Sequence, residues 1–384
     1  MLKTYIKVLP LVLLITTGFY KPITLNLPID ITLLVAVLTT AIVIFEFVKH
    51  NFMFNKAVLL VLFMFLIVLP TVRFGSFNEY SKDKTIYWYT LTLLSAIAPM
   101  LIIKTQDELR HFYKAIIVIL SLHSLYALAN LITHRNLTRL ESVSDTIALG
   151  RASGMLVLLV LILILQRKVK YSIGIPLICV LTFLDISSGS KGPILFTFIV
   201  AAIVFTVFKW RHRTFHSMAI IFSIIILVAF LNLSSSLMPQ ASFDRVMQFL
   251  NGEVSTSLNT RITLYTNSIE SIKNNAFGIG FGNAQNVINK NISDGITYTY
   301  PHNIILEIFL ECGWLIGLLF ITFWGFSIFH AYKKAKLNEN FMFTFTVLLF
   351  LFLNAIVSGE INDRMLFAFV GLALSFKPNM LNTQ

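Results

Sequence analysis

The chain has 384 residues, of which 57% are hydrophobic and only 12% are charged. A soluble globular domain carries about 25% charged residues, so the composition excludes an ordinary soluble protein and indicates an integral membrane protein with many spans. The formal net charge of +12 does not indicate nucleic-acid binding, because membrane proteins keep Lys and Arg in cytoplasmic links that hold their orientation. Membrane lipids are the expected contacts of this charge, and no nucleic acid is expected as a partner.

Apolar stretches recur along the whole chain. A span needs about 20 apolar residues to cross the hydrocarbon core, and this length predicts about twelve transmembrane helices in an all-α fold. In chain order they cover residues 5–20, 29–48, 57–72, 86–103, 112–133, 148–165, 171–187, 193–208, 215–232, 302–329, 342–357 and 364–376. The N-terminal stretch counts as the first span because no small-residue cleavage site of a signal peptide follows it.

A long polar loop interrupts this pattern. The predicted organisation is transmembrane helices one to nine over residues 1–232, a large loop over residues 233–301, and transmembrane helices ten to twelve over residues 302–384. A loop of this length is usually functional or disordered. The helical spacing of Ser242–Leu250 and Ile262–Ile272 predicts that the loop contains short amphipathic helices.

The basic residues predict the orientation. Placing the N-terminus in the cytoplasm puts seventeen of the 30 Lys and Arg residues in inner links, including Lys334. The short outer links hold fewer, among them Lys84. This bias favours cytoplasmic N- and C-termini, an even number of spans and an extracytoplasmic large loop.

Four polar residues occur on the outer side, where the charge bias does not explain them. They are Arg151, Lys191, Arg261 and His302. A charged group at a span must face a wet cavity or a partner, so these residues are candidates for an anion site. The alternative for each is a side chain that extends to the membrane surface or pairs with a carboxylate. The Ser- and Gly-rich link 187–192 predicts either exposed backbone amides that approach an anion or a plain tight turn.

The tenth predicted span carries most of the remaining polar chemistry. His302 shares one side with Gly313 and Gly317, whose spacing of four predicts close approach of another helix. Pro301 predicts the helix start. His302 is interpreted as a base toward a sugar hydroxyl, as a diphosphate contact when protonated, or as a helix cap. Three further polar residues form the neighbouring stripe: Asn303, Glu307 and Glu311.

Other motif classes are not supported. The run Gly278-Ile279-Gly280-Phe281-Gly282 does not match a dinucleotide fingerprint, and it predicts a tight backbone bend. No Asp-x-Asp, His-Glu-x-x-His or Cys/His grouping appears on the outer side, so neither a metal nor another cofactor is expected. Arginine is expected to take the part that a metal ion plays elsewhere, stabilising charge on a departing diphosphate.

These residues resemble the motifs of a known superfamily. The stretch from His302-Asn303 through Leu306 to Glu311, Gly313 and Gly317 is similar to the signature of the O-antigen ligase and O-antigen polymerase superfamily. Weaker matches occur in the expected order at Arg151-Ala152-Ser153-Gly154, Gly189-Ser190-Lys191-Gly192, Arg261-Ile262-Thr263-Leu264-Tyr265 and Phe277-Gly278-Ile279-Gly280. The chain departs from the usual pattern at three positions: Lys191 stands for arginine, Tyr265 for tryptophan and Ala276 for proline.

The resemblance implies a GT-C-like, metal-independent glycosyltransferase in the bacterial cytoplasmic membrane. Its donor would be a glycan on undecaprenyl diphosphate, transferred to an acceptor at the outer face. A chain-length regulator and a flippase are the implied protein partners. By the same resemblance Arg151, Lys191 and Arg261 would bind the diphosphate, and His302 would orient or deprotonate the acceptor. The supporting residues would be Asn303, Glu307, Glu311 and Tyr265.

Several functions stay open at this point. A polymerase of lipid-linked repeat units is favoured slightly, because nothing in the sequence marks a protein-acceptor site. An O-antigen ligase acting on lipid A core or a protein is the alternative within the same class. A polysaccharide transporter or flippase is the alternative from another class, although transporters usually show two similar halves. A structural or receptor role is a fourth possibility, disfavoured by the carboxylates in the tenth span.

Overall fold

A computed structural model gives the architecture of the protein. The residues that the structure describes are 2–20, 30–49, 55–73, 75–76, 78–133, 146–208, 244, 248, 251, 256–292 and 296–375. These residues form helices and turns, and no strand occurs among them. The predicted all-α class is confirmed.

The α-helices are labelled here in chain order. They are α1 Leu2–Thr16, α2 Ile31–Lys49, α3 Lys56–Leu66, α4 Glu79–Tyr87, α5 Leu93–Ile102, α6 Gln106–Thr133, α7 Thr146–Leu165, α8 Tyr171–Ser187, α9 Lys191–Val207, α10 Thr256–Asn274, α11 Gln285–Ile288, α12 Ile304–Leu337, α13 Met342–Ser358 and α14 Arg364–Ser375. A π-helical turn, Trp88–Thr92, joins α4 to α5. Three short 3-10 turns lie at Thr17–Tyr20, Leu69–Arg73 and Glu339–Phe341.

The helices agree with the predicted spans. Within the described residues, seven helical segments are long and apolar enough to cross a membrane, and four shorter apolar helices accompany them. These segments coincide with eleven of the predicted spans, while the ninth, residues 215–232, lies outside the described residues. A polytopic membrane protein is therefore confirmed as the class, and the number of crossings stays a prediction.

Two boundaries differ from the prediction. Lys84, expected in an outer link, lies inside α4 and is buried. Lys334, expected in an inner link, lies inside α12, where its Nζ donates to the Ala373 carbonyl oxygen at 2.7 Å. A hydropathy pattern ends a span at its first charged residues. The backbone can continue as a helix wherever the charged group finds a buried partner.

The predicted loop contains ordered helix. Helix α10 covers the stretch predicted as helical over Ile262–Ile272. The other predicted stretch, Ser242–Leu250, lies almost entirely outside the described residues. Placement of this region outside the membrane stays a prediction.

The chain divides into two compact units, which are described separately. Unit 1 consists of Met1–Ile15, Ile31–Phe112 and Val254–Gln384, and unit 2 consists of Thr16–Asp30 and Tyr113–Glu253. In unit 1, α14 packs on α5, α12 packs on α13, and α10 packs on α12. In unit 2, α7 packs against both α8 and α9. The candidate residues on α10 and α12 therefore belong to unit 1.

A break in α12 is the main irregularity of unit 1. Gly313 has φ +83° and ψ 178°, which are not helical values, so the regular helix is broken at this residue. The interruption frees backbone carbonyls that a regular helix would use. The amides of Ile279 and Gly280 donate to the carbonyl oxygens of Leu310 and Glu311 at 2.9 and 3.0 Å. These bonds satisfy the freed groups, as buried backbone requires.

The inserted segment is residues 275–283, named here the glycine loop. Gly278, Gly280 and Gly282 all have positive φ, so the predicted tight bend is confirmed. The predicted helix–helix contact at the two glycines of α12 is wrong. The backbone of residues 276–277 occupies the space at Gly313, and the ring of Phe309 on the same helix covers Gly317.

Gly313→Ala should lower the thermal stability of the solubilised protein. A Cβ at this position would lie 2.5 Å from the Ala276 carbonyl oxygen, and the left-handed φ adds strain of about 1–3 kcal/mol. Gly325→Ala, also in α12, is the matched control because nothing lies within 4 Å of the added Cβ. Thermal unfolding of both variants measures the difference, and equal midpoints would contradict the role assigned to the break.

Candidate functional site

Arg261 and Tyr265 lie one turn apart on α10, and both side chains contact the Val357 carbonyl oxygen. The Arg261 Nη1 donates to the Val357 carbonyl oxygen at 3.1 Å. The Tyr265 hydroxyl lies 3.4 Å from the Val357 carbonyl oxygen and 3.5 Å from that of His302. Tyr265 also bonds the Asn303 side chain, and burial raises the pKa of its phenol. The end of α13 and the start of α12 are thus joined through α10.

His302 precedes α12 and does not cap it. Asn303 is the cap, since its Oδ1 accepts from the amides of Ile305 and Leu306, both at 3.0 Å. The capping interpretation of His302 is therefore wrong, and the helix begins three residues after the predicted Pro301. His302 has φ +56°, a left-handed conformation that is uncommon outside glycine and often marks a functional position.

The imidazole of His302 is held in an aromatic and largely buried setting. Its ring centroid lies 4.5 Å from that of Tyr300 and 5.8 Å from that of Tyr298. Burial, and secondarily the positive charge of Arg261, lowers the pKa of His302 to about 4. The imidazole is therefore neutral at physiological pH. Its Nδ1 is buried and has no hydrogen-bond partner among the described residues.

A buried ion cluster lies two turns along α12. Lys84 Nζ on α4 donates to Glu307 Oε1 at 2.6 Å and to both carboxylate oxygens of Glu311 at 2.6 and 2.7 Å. All three side chains are at most 2% exposed. The other oxygen of Glu307 accepts from the Ile361 amide at 2.9 Å. The cluster therefore ties α4, the first turns of α12 and the turn before α14 together.

Lys84 is the residue that the sequence reasoning missed. The charge pattern predicts Lys84 in an outer link, and its partners Glu307 and Glu311 lie more than 220 residues away in the chain. The two carboxylates within a predicted span did signal that a buried cation must be near. No local pattern indicated which lysine would supply it.

Arg151 and Lys191 lie in unit 2. Arg151 is in the first turns of α7, and Lys191 is the first residue of α9. The residues beside them meet, because a Cβ on Gly150 would lie 3.0 Å from the Ser188 Oγ and 3.1 Å from Pro193. The structure thus brings Arg261 and His302 together in one unit and brings the residues beside Arg151 and Lys191 together in the other.

The Ser- and Gly-rich link before α9 forms a plain turn over residues 188–190. The amides of Ser188 and Gly189 donate to the carbonyl oxygens of Leu184 and Ile186 at 3.0 and 2.9 Å. The Ser190 amide donates to the Ser188 Oγ at 3.2 Å. These three amides are engaged within the turn, so the interpretation as an open anion-binding nest is wrong for them.

No metal-binding group of side chains occurs in the part of the chain that the structure describes, where no three His, Cys, Asp or Glu residues cluster. Lys84 takes the place beside Glu307 and Glu311 that a cation would need. At one end of α12, unit 1 presents a guanidinium, a neutral imidazole and a tyrosine hydroxyl.

Part of the chain is similar to a known protein family. Residues 175–321 match the family model described as O-antigen ligase. The matched segment contains Lys191, Arg261, Tyr265 and the start of α12, while Arg151 precedes it. No curated protein gives a significant match to the chain. The resemblance read from the motifs is confirmed over residues 175–321, which are similar to the O-antigen ligase family.

Proposed function

We propose that the protein is a glycosyltransferase of the bacterial cytoplasmic membrane. It moves a glycan from undecaprenyl diphosphate to an acceptor at the outer face, polymerising lipid-linked repeat units of a surface polysaccharide. The superfamily assignment supports a membrane polysaccharide ligase or polymerase. The observation that carries the finer proposal is the convergence of Arg261 and a neutral His302 at the start of α12.

Arg261 is the group proposed to hold the leaving diphosphate. A guanidinium carries five N–H donors, and Arg261 donates one of them to Val357. The others have no hydrogen-bond partner in the part of the chain that the structure describes, which leaves them for paired hydrogen bonds to phosphate oxygens, as guanidinium geometry favours. As the bond between the sugar and the diphosphate breaks, its electron pair and negative charge move onto the phosphate. Arg261 stabilises that charge.

His302 is proposed to act on the acceptor. A neutral imidazole accepts the proton of an acceptor hydroxyl while the hydroxyl oxygen bonds to the donor sugar. The low pKa of His302 supports this role over a permanent positive contact to phosphate. Bound diphosphate would raise that pKa, so the protonated imidazole gains stability as the reaction proceeds.

The remaining candidates support these two groups. Tyr265 and Asn303 fix the backbone around His302, and Glu307 and Glu311 hold the first turns of α12 through Lys84. Arg151 and Lys191 are proposed as further diphosphate contacts on the strength of their motifs. Lys191 keeps the charge of the usual arginine without its two-point geometry.

The proposal includes orientation and partners. Both termini lie in the cytoplasm and the 233–301 region lies outside, where a flippase must deliver the lipid-linked repeat units. A chain-length regulator would set the number of repeats. The ligase that uses lipid A core or a protein as acceptor stays the alternative, because acceptor choice depends on the surface around α10.

Purified protein in nanodiscs should release undecaprenyl diphosphate when it is supplied with lipid-linked repeat units alone. The same reaction should lengthen the lipid-linked glycan, and a chelator such as EDTA should not change the rate. Release that requires added lipid A core would select the ligase. No release with any acceptor would contradict an enzymatic function.

A further inference from the structure

Helix α12 is longer than a bilayer requires. Its 34 residues exceed the about 20 helical residues that cross a hydrocarbon core about 30 Å thick. About 14 residues of α12 must therefore extend beyond the hydrocarbon, unless the helix is strongly tilted.

The exposure of side chains changes at the break in α12. From Ile304 to Gly313 no residue is exposed, and most are buried. From Trp314 onward, large apolar side chains are exposed on the surface of the helix. They are Trp314, Leu315, Leu318, Leu319, Ile321, Phe326 and Phe329. An apolar surface of this kind suits lipid, whereas the preceding turns are covered by protein.

The lysines at the other end of α12 give the same boundary. Lys333 and Lys336 are exposed near the C-terminal end of the helix, as expected at the cytoplasmic edge. The hydrocarbon core accommodates about 20 helical residues, and 20 residues before Lys333 is Gly313. The length of the bilayer and the change in exposure therefore agree.

Two aromatic side chains lie at this level. Phe277 of the glycine loop is 82% exposed, and its backbone packs against Gly313. Trp314 is 47% exposed, and its Nε1 donates to the Ile272 carbonyl oxygen at 3.3 Å. An exposed phenylalanine is costly in water, while aromatic side chains are enriched at the membrane–water interface.

The buried charges also fit this boundary. Glu307 and Glu311 lie in the turns of α12 before Gly313, and Lys84 donates hydrogen bonds to both of them. Charged groups in the hydrocarbon core are expensive, and a boundary at Gly313 removes that cost by placing them outside it.

We infer that α12 enters the hydrocarbon core at Gly313 and Trp314, and that Phe277 and Trp314 anchor the glycine loop in the lipid headgroup region. The partner of this surface is the bilayer interface. His302 then lies at most about 21 Å outside the hydrocarbon edge, because nine helical residues and two non-helical ones separate it from Gly313. Only the assignment of this headgroup region to the outer leaflet rests on the proposed function.

Spin-label accessibility in nanodiscs tests the boundary without any assay of glycan transfer. Single cysteines at Phe277, Leu318 and Asn259 are introduced into a background in which Cys179 and Cys312 are serine. Power saturation with oxygen and with a water-soluble nickel complex reports the depth of each nitroxide. Leu318→Cys should report the hydrocarbon, Asn259→Cys water, and Phe277→Cys the interface between them.

Two outcomes would overturn the inference. One is a nitroxide at Phe277 that is as accessible to nickel as the one at Asn259, and the other is a nitroxide there as deep as that at Leu318. If Phe277→Cys does not yield folded protein, Leu315→Cys decides in the same way, because it lies one residue past the entry point and should report the interface, between Leu318→Cys in hydrocarbon and Asn286→Cys in water. Because the measurement needs no substrate, failure of the proposed enzymatic function leaves its result unaffected.

Discussion

Arg261→Ala should reduce glycan transfer by about 10²–10³-fold in kcat, because it removes the donor that is proposed to stabilise the departing diphosphate. Arg261→Lys should retain part of the activity, since it keeps the charge and loses the paired geometry. The measurement is release of undecaprenyl diphosphate by purified variants supplied with lipid-linked repeat units. Lys273→Ala is the matched control, because Lys273 is exposed on the same helix.

The expected loss must be separated from unfolding. Arg261 also donates to the Val357 carbonyl oxygen, so its removal costs some stability as well. Thermal unfolding of Arg261→Ala and Lys273→Ala distinguishes the two causes. An Arg261→Ala protein that is folded and transfers glycan at the control rate would exclude the proposed role.

A second variant tests His302 as the proposed general base. His302→Asn suits the position better than alanine, because asparagine tolerates the left-handed backbone at φ +56° and cannot act as a base. The expected loss is about 10²–10⁴-fold. A depressed pKa means that His302 of the free enzyme is neutral above it, so the wild-type kcat/KM, which reports the free enzyme, should stay level down to about pH 5 and fall as pH approaches 4. A fall centred near pH 6.5 would contradict the assigned environment.

The same variants separate the enzyme from a transporter in cells. Loss of Arg261 or His302 should abolish long-chain glycan while single lipid-linked units still reach the outer face. Accumulation of those units on the cytoplasmic side would favour the transporter or flippase, the alternative from the other functional class.

Lys84→Met should destabilise the protein strongly, by about 3–5 kcal/mol, because it leaves Glu307 and Glu311 buried without their cation. Lys82→Met, on the exposed side of the same helix, should have little effect. The measurement is the thermal unfolding midpoint of the solubilised proteins, with size-exclusion chromatography to confirm that they are folded. Equal midpoints for the two variants would contradict a buried ion cluster.

Removing the whole cluster should be milder than removing its cation. The triple variant Lys84→Met, Glu307→Gln, Glu311→Gln leaves no uncompensated charge, and replacing a complete buried ion pair is often nearly neutral. We therefore expect it to recover much of the stability lost in Lys84→Met. A triple variant as unstable as the single one would indicate that packing at Lys84, and not charge, is what the cluster contributes.

Local sequence patterns predicted the all-α class and several residues of the candidate site. Eleven of the predicted spans coincide with apolar helices because such helices consist of a long local run of apolar residues, which is visible without any tertiary contact. The motif that begins at His302 and Asn303 was recognisable for a similar reason, since its members are neighbours on one helix. Arg261 and Tyr265 likewise stand one turn apart on α10.

Tertiary structure alone decided the rest. The partnership of Lys84 with Glu307 and Glu311 depends on packing between distant segments, and a lysine in a polar stretch gives no sign of its partner. The break at Gly313 depends on the glycine loop, whose amides of Ile279 and Gly280 replace the lost helical hydrogen bonds. The identity of the residue that caps α12 also depends on tertiary structure. The left-handed backbone of His302 places Asn303 where its side chain accepts hydrogen bonds from the first free amides of the helix.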